Sequence, residues 1–118
     1  MPTLSTVKKE RRAPAKPKID TDAMLDNARK AADFLKALSH EARLVILCLL
    51  LDGEKTVNEL EHLLKLRQST VSQQLARLRA DNLVEARRNG KSVHYSVARP
   101  EVVEIISALY RSFCKPGR

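Results

Sequence analysis

The sequence predicts a mainly α-helical fold with one small β-hairpin. In several segments apolar residues recur at spacings of three and four, as they do on the buried side of an amphipathic helix. Asn89-Gly90 separates two segments of alternating residues, 84–88 and 91–97, and this dipeptide is the strongest short hairpin signal because both turn residues need positive φ. A length of 118 residues allows one compact domain.

The first two helices are expected in the N-terminal half of the chain. Thr21 or Asp22 can cap the first helix, which should run to about Leu38. Its apolar stripe consists of Leu25, Ala28, Ala32, Leu35 and Leu38. Ser39 can cap the second helix, in which residues 44–51 are apolar on every side. The second helix should therefore be central to the core.

The third and fourth helices should form a helix-turn-helix. Thr56 and Glu59 make a capping box that opens a short helix ending near Lys65. After a three-residue gap, a fourth helix should follow and end near Asp81-Asn82. Its core-facing stripe is Val71, Leu75 and Leu78. Two helices joined by a tight turn are typical of proteins that place the second helix in a DNA groove.

The outer face of the fourth helix carries side chains suited to reading DNA. Its polar residues are Gln68, Ser69, Thr70, Ser72, Gln73 and Arg77. Hydroxyls and primary amides donate and accept hydrogen bonds, so we expect Ser69, Thr70, Ser72 and Gln73 to contact base edges. Arg77 should mostly bind phosphate. Taken alone, the stretch is also typical of a solvated amphipathic helix, and the hairpin that follows favours DNA.

The hairpin should form the wing of a winged helix-turn-helix. Val93, Tyr95 and Val97 alternate with polar residues, so one side of the hairpin is expected to pack on the core. The polar candidates of the wing are Arg87, Arg88, Lys91 and His94. We expect the three cations mostly to bind phosphate, and the histidine is a further candidate for DNA contact.

The charge of the chain agrees with a nucleic-acid partner. A formal charge of +8 and a sequence pI of about 9.9 favour either nucleic acid or a membrane surface. No apolar run reaches the roughly 18 residues of a membrane span, and we expect no membrane partner. Positions 65–99 carry eight cations against two acidic residues, on the helix and wing that would face DNA.

Residues 1–20 are expected to form a disordered basic arm, and residues 21–115 the DNA-binding and dimerisation domain. The arm holds three prolines and six cations and has too few apolar residues to fold. The N-terminus lacks an apolar signal segment, so we expect a cytoplasmic protein whose two cysteines are reduced at rest.

The last helix should take part in a homodimer. Pro100 opens it, and it has a broad apolar face that a domain of this size has little left to cover. An exposed apolar face of this kind usually marks an interface, and twofold symmetry is the commonest way to close one. We expect the first and last helices to pair, with an interface that includes Leu25, Ala28, Ile105, Leu109 and Phe113.

Two segments and the wing resemble the ArsR/SmtB family of winged-helix repressors. The segments are Leu38–Leu44 (LSHEARL) and Gln68–Leu75 (QSTVSQQL), and Asn89-Gly90-Lys91 followed by Val93-His94-Tyr95 is similar to the family's wing. The resemblance covers about residues 22–114. It implies a dimeric repressor that binds an imperfect inverted repeat in double-stranded operator DNA and releases it when an inducer arrives.

The metal sites of this family have no counterpart in the sequence. Members that sense metalloids carry a pair of cysteines in the third helix, where this chain has Thr56 and Asn58. Members that sense zinc or cobalt use Asp and His on the last helix, and residues 101–114 contain neither. We therefore expect no metal and no cofactor.

The two cysteines, Cys48 and Cys114, resemble those of the sulfide- and persulfide-responsive branch (the SqrR and BigR type). That resemblance implies a repressor of sulfide-detoxification genes, released when reactive sulfur couples the two thiols. Cys48 lies among leucines, which favour an inert thiol, while Cys114 lies between Arg111 and Lys115, whose charges favour a thiolate. Cys114 should attack first and Cys48 should resolve. A single cysteine in an apolar helix is otherwise an ordinary core residue.

Other functions stay open on the sequence alone. The same repressor could sense peroxide through a disulfide, or a thiophilic metalloid through two thiolates. A thiol enzyme is disfavoured because no activating histidine lies near Cys114 in the sequence. A protein-interaction module is disfavoured by the polar face of the fourth helix. We expect the resting thiols to lie somewhat too far apart for an unstrained disulfide, which requires Cα atoms about 4.4–6.8 Å apart.

Overall fold

The computed structural model describes residues 18–116 and has a mainly helical architecture with one small antiparallel sheet. Most of the predicted N-terminal arm, residues 1–17, lies outside the described residues. The helices are α1 (Thr21–Leu38), α2 (Glu41–Leu49), α3 (Val57–Leu64), α4 (Gln68–Ala80) and α5 (Pro100–Leu109). The strands are β1 (Lys55–Thr56), β2 (Val84–Asn89) and β3 (Ser92–Val97). The predicted fold class is confirmed.

Contacts within the chain divide it into two units, which meet inside α1 between Lys30 and Ala31. Of the first unit, residues 18–30 are described, and their apolar side chains Met24 and Leu25 are exposed. The second unit holds the rest of α1 and the other elements. No membrane-crossing helix is found in the described part of the chain, because none combines the required length with the required hydrophobicity.

The cap of α1 lies one residue earlier than predicted. The carboxylate of Asp20 accepts the backbone N–H groups of Asp22, at 3.1 Å, and Ala23, at 3.2 Å. Thr21 and Asp22 are already helical, so neither precedes the first turn and the prediction that one of them is the cap is wrong.

The cap of α2 also differs from the prediction. His40 precedes the helix in an extended conformation, and its Nδ1 accepts the N–H of Ala42 at 3.2 Å. Ser39 instead donates its hydroxyl to the carbonyl of Lys36 at 2.8 Å. Ser39 therefore closes α1, and His40 opens α2.

The core of the second unit lies between α2, α3, α4, α5 and the base of the hairpin. Its buried apolar residues are Ala37, Leu38, Ile46, Leu47, Leu50, Leu60, Val71, Leu75, Leu78, Leu83, Val84, Val102 and Ile106. Helix α2 is less central than predicted, because Val45 is 41% exposed and Cys48 and Leu49 are only partly buried. Of the predicted α1 stripe only Leu38 is buried, while Leu35 is exposed.

The sheet has three strands in the order β1-β3-β2, one more than predicted. Lys55 pairs with Tyr95, so β1 extends the hairpin on the side away from β2. Asn89 pairs with Ser92, which leaves Gly90 and Lys91 as the central turn residues. Only Gly90 has a positive φ, +65°, as in a type II′ turn. The prediction that Asn89 and Gly90 both have positive φ is wrong, because the strand pairing continues through Asn89.

The last helix ends in a wide π-helical turn, Tyr110–Cys114. The N–H of Lys115 donates to the carbonyl of Tyr110, five residues earlier, at 2.8 Å. In a regular α-helix Phe113, seven residues after the buried Ile106, would return to the core side. With the extra residue in the turn, Phe113 is instead 80% exposed, and Cys114 is exposed as well. Phe113 therefore does not continue the packed face of α5.

Candidate DNA-binding surface and thiol cavity

The helix-turn-helix consists of α3, a short turn and α4. Thr56 accepts the N–H of Glu59 and the Glu59 carboxylate accepts the N–H of Thr56, so the predicted capping box is confirmed. Lys65 ends α3 in the left-handed conformation, with φ of 56° and ψ of 39°, which turns the chain towards α4. The capping box sets the start of α3, and the left-handed Lys65 sets the direction in which the chain enters α4.

One side of α4 is fully buried and the other faces solvent. Val71, Leu75 and Leu78 are completely inaccessible, as the apolar stripe predicted. The predicted DNA-binding residues of α4 lie on the opposite side and are exposed, except for Thr70, which is partly buried. The exposed members are Gln68, Ser69, Ser72, Gln73 and Arg77. We call this face, together with the wing tip at Arg88 and Lys91, the α4–wing surface.

Arg43 fixes α4 to the preceding helices, a role that the sequence reasoning missed. Its Nε donates to the carbonyl of Ala37 at 2.6 Å, and its Nη1 donates to Oε1 of Gln74 at 3.1 Å. Gln74 lies next to Gln73 on α4, so this contact joins the end of α1, α2 and α4. The sequence carries no local signal for this role, because it depends on partners that the fold brings together.

Two of the predicted phosphate-binding cations are held by carboxylates. Glu54, which the sequence reasoning did not single out, accepts two hydrogen bonds from the guanidinium of Arg87, one of them from Nε at 3.2 Å. The hydrogen bond from Arg87 lowers the pKa of Glu54, and the same contact raises the pKa of Arg87. Arg77 pairs with Asp81 at 2.9 Å. Arg88 and Lys91 are exposed at the wing tip.

His94 lies in the middle of the sheet. It is partly buried on β3, opposite Arg87 of β2 and Thr56 of β1. His94 contributes to the lowered pKa of Glu54, but less than the hydrogen bond from Arg87 does. The side chain is therefore at the base of the wing and close to the Glu54–Arg87 pair.

The structure brings the two cysteines together. Cys48 lies on α2 and is partly buried, Cys114 lies in the wide turn and is exposed, and both are free thiols. Burial raises the pKa of Cys48 to about 11, with smaller contributions from the charge of Cys114 and from a hydrogen bond to its side chain. Cys48 is therefore neutral at physiological pH, and the exposed thiol is the one that reagents reach first.

Both thiols line a cavity of about 420 Å³. We call it the thiol cavity, and its lining residues are Val45, Cys48, Leu49, Leu51, Asp52, Tyr110 and Cys114. Asp52 is the charged member of this lining, and its carboxylate pairs with Lys55 at 2.7 Å, which lowers the pKa of Asp52. Over residues 18–116, no group of three or more His, Cys, Asp or Glu side chains could hold a metal ion.

Known proteins with similar sequences are bacterial regulators. Residues 40–86 match the profile described as "Bacterial regulatory protein, arsR family". The chain is 39% identical over 105 residues to the Biofilm growth-associated repressor of Xylella fastidiosa, and the alignment covers 89% of this chain and 92% of the relative. It is 46% identical over 95 residues to the Transcriptional activator HlyU of Vibrio cholerae, and this alignment covers 80% of this chain and 88% of the relative.

A solved structure agrees with these relatives. The transcriptional repressor BigR from Xylella fastidiosa superposes with a TM-score of 0.77 at 38% sequence identity, covering 84% of this chain and 98% of BigR. Sequence and fold thus identify the same group of winged-helix proteins. The chain belongs to the arsR family of bacterial regulatory proteins, and it is a DNA-binding transcriptional regulator rather than an enzyme.

Proposed function

We propose that this protein is a transcriptional repressor that releases its operator when reactive sulfur species couple Cys48 to Cys114. The observation that carries the proposal is the contact between these thiols, which come from distant parts of the chain and meet beside one cavity. One of the relatives, from Xylella fastidiosa, is a repressor, and this supports repression as the mode of regulation. The regulated genes would be those of sulfide detoxification.

The DNA-bound form is a homodimer on an imperfect inverted repeat. Apolar side chains stay uncovered on both α1 and α5, among them Leu25, 61% exposed, and Ile105, 41% exposed. Such faces are usually closed by a second copy of the chain. Two copies of α4 would then lie about 34 Å apart, one turn of DNA, and read two half-sites. Leu109, by contrast, is partly packed on the core of its own chain.

The chemistry begins at Cys114. Its thiolate attacks the outer sulfur of a hydropersulfide, R–S–SH, and the S–S bond breaks, so that Cys114 carries the extra sulfur and the thiol RSH leaves with the proton. A second hydropersulfide converts Cys48 in the same way. One protein persulfide then attacks the inner sulfur of the other and expels H₂S. Two thiols and two hydropersulfides thus give a three-sulfur bridge, two RSH and one H₂S, without another oxidant.

The bridge would act on DNA through the dimer. Cys114 follows α5 directly, and Cys48 belongs to α2, which packs in the core beside α4. A covalent link between them restricts how the interface helix moves relative to the core. The bridge would change the spacing of the two α4 helices. To release the operator, that change need weaken DNA binding by only a few kcal/mol.

The test combines mass spectrometry with operator binding. Glutathione persulfide should give a protein whose Cys48 and Cys114 are joined through at least one additional sulfur, and this form should lose operator affinity. Cys48→Ser and Cys114→Ser should each bind the operator and fail to be released. A serine variant that is released like the parent contradicts the proposal, as does an exclusively two-sulfur bridge. A reporter gene separates repression from activation, because loss of a repressor raises transcription.

The thiol contact also supports a second trigger. Two neighbouring thiols can form a direct disulfide after peroxide oxidises one of them to a sulfenic acid, with water as the leaving group at each step. They can also bind a thiophilic metalloid as a pair of thiolates. The mass of the bridged product distinguishes these cases, since peroxide adds no atoms to the bridge and a metalloid adds its own mass.

A further inference from the structure

We propose that the thiol cavity binds the organic group of the sulfur donor and favours donors whose organic group is apolar. This inference rests on the proposed function, because it requires Cys114 to react with a donor of the form R–S–SH. It adds to that function a class of donor and the residues that select it.

The shape of the cavity fits a small organic group. Its volume of about 420 Å³ falls within the range of small-molecule sites, roughly 300–1,000 Å³. Apart from the thiols and Asp52, its lining is apolar or aromatic. These apolar residues are Val45, Leu49, Leu51 and Tyr110. Each methylene group that moves from water into such surroundings strengthens binding by about fourfold.

Charge around the cavity is mixed. Asp52 is the charged lining residue, its side chain is 81% exposed, and its carboxylate pairs with Lys55 at 2.7 Å. Arg111 and Lys115 lie close to Cys114 in the sequence. The selectivity that we infer therefore depends on apolar contact with the donor and not on its charge.

The position of the thiols suits a donor held in this way. Cys114 is exposed, whereas Cys48 is partly buried, so an organic group inside the cavity brings its sulfur atoms to both. The thiolate of Cys114 attacks the outer sulfur of R–S–SH, the S–S bond breaks, and RS⁻ takes up the proton that Cys114 lost. The products are Cys114–S–SH and RSH. The cavity then releases RSH, and a second donor can enter.

The experiment compares initial rates of Cys114 persulfidation, measured by mass spectrometry on the reduced full-length protein. The donors are methyl, butyl and benzyl hydropersulfide and glutathione persulfide, each rate divided by that donor's rate with free N-acetylcysteine. We expect the normalised rate of the benzyl donor to exceed that of the methyl donor at least tenfold. We expect glutathione persulfide, whose organic group is polar, to react more slowly than the benzyl donor.

One variant and one matched control assign the effect to the cavity. Val45→Phe should remove the advantage of the benzyl donor by filling the cavity, whereas Val103→Phe, at a valine of similar exposure outside it, should not. Operator binding by each reduced variant verifies that it is folded.

The outcomes separate this inference from the function on which it rests. Equal normalised rates for all donors, or a Val103→Phe effect as large as that of Val45→Phe, overturn the selectivity while leaving the sulfur response intact. If no donor places sulfur on Cys114, the proposed function itself is wrong.

Discussion

On the α4–wing surface, polar side chains project from a helix whose other side is completely buried. The thiol cavity lies where α2 and the turn after α5 approach each other without closing. The first region depends on one regular element held firmly by the core. The second depends on two elements that are far apart in the sequence, one of which is an irregular turn. A regular helix suits the recognition of a rigid DNA groove, whereas a gap between elements can admit a reagent and respond to it.

We expect the largest effect from a variant that breaks the dimer. It tests whether the α4–wing surface and the thiol cavity both require the dimer. Ile105→Lys places a charge on the exposed apolar side of α5 and should yield monomers. Operator affinity should then fall on the order of 10²- to 10³-fold, because a monomer binds one half-site. Persulfidation of Cys114 should continue, since the cavity is formed within one chain. Sedimentation measures the assembly, and an intact Ile105→Lys dimer would remove this part of α5 from the interface.

A change of pH should test the burial of Cys48. Folding raises the pKa of Cys48 from an ordinary value of 9.0 to about 11, so the folded chain holds its proton over a range in which the unfolded chain loses it. Alkylation of Cys48 should therefore rise up to about pH 11 in the folded protein and level off near pH 9 in urea. The contribution to stability is present below pH 9 and is lost as the pH rises towards 11. Equal profiles in both states would contradict the burial of Cys48.

On the α4–wing surface, Gln73→Ala should affect binding and spare stability. Gln73 is exposed, and its loss should weaken binding to the specific operator by about 1–3 kcal/mol while relaxing base preference. Gln74→Ala is the matched control, because Gln74 accepts a hydrogen bond from Arg43. This variant should lower the free energy of unfolding by roughly 1 kcal/mol and keep the base preference. Competition with scrambled DNA measures the first effect, and urea unfolding the second.

The smallest expected effect concerns the wing. Glu54→Gln removes the charge that holds Arg87 and should free its guanidinium for phosphate. The slope of log affinity against log salt should then steepen by up to about 0.9, the value of one phosphate contact. Lys91→Ala should change the slope in the opposite direction for specific and random DNA alike. If Glu54→Gln leaves the slope unchanged, Arg87 serves the wing structure and does not bind phosphate.

The contrast between a regular helix and a site formed by distant elements also explains which features could be predicted from the sequence. The buried stripe of α4, the capping box at Thr56 and the positions of the helices follow from local periodicity and capping, and these predictions are confirmed. The strand β1 has two residues and no periodic pattern, and it exists because β3 is available to pair with it. Arg43, Glu54 and Asp52 acquire their roles only through partners or a cavity that the fold creates.

The predictions of site residues show the same difference between local patterns and contacts made by the fold. Exposure of Ser69, Ser72 and Gln73 follows from the helical pattern alone. The ion pairs of Arg77 and Arg87 do not, because a sequence gives the number of cations in a segment and not the carboxylates that they meet. Whether each of these residues contacts DNA stays a prediction.

The wide turn after α5 changes how cysteine pairs of this kind should be sought in related sequences. In this chain Cys114 lies eight residues after Ile106, and the π-helical turn compensates for the additional residue. A relative with a regular last turn would place its cysteine equally well at a distance of seven. A search by fixed spacing would count only one of these arrangements, although they put sulfur in the same place. Deletion of Ser112 should accordingly preserve the thiol contact, so the pair tolerates the gain or loss of a single codon.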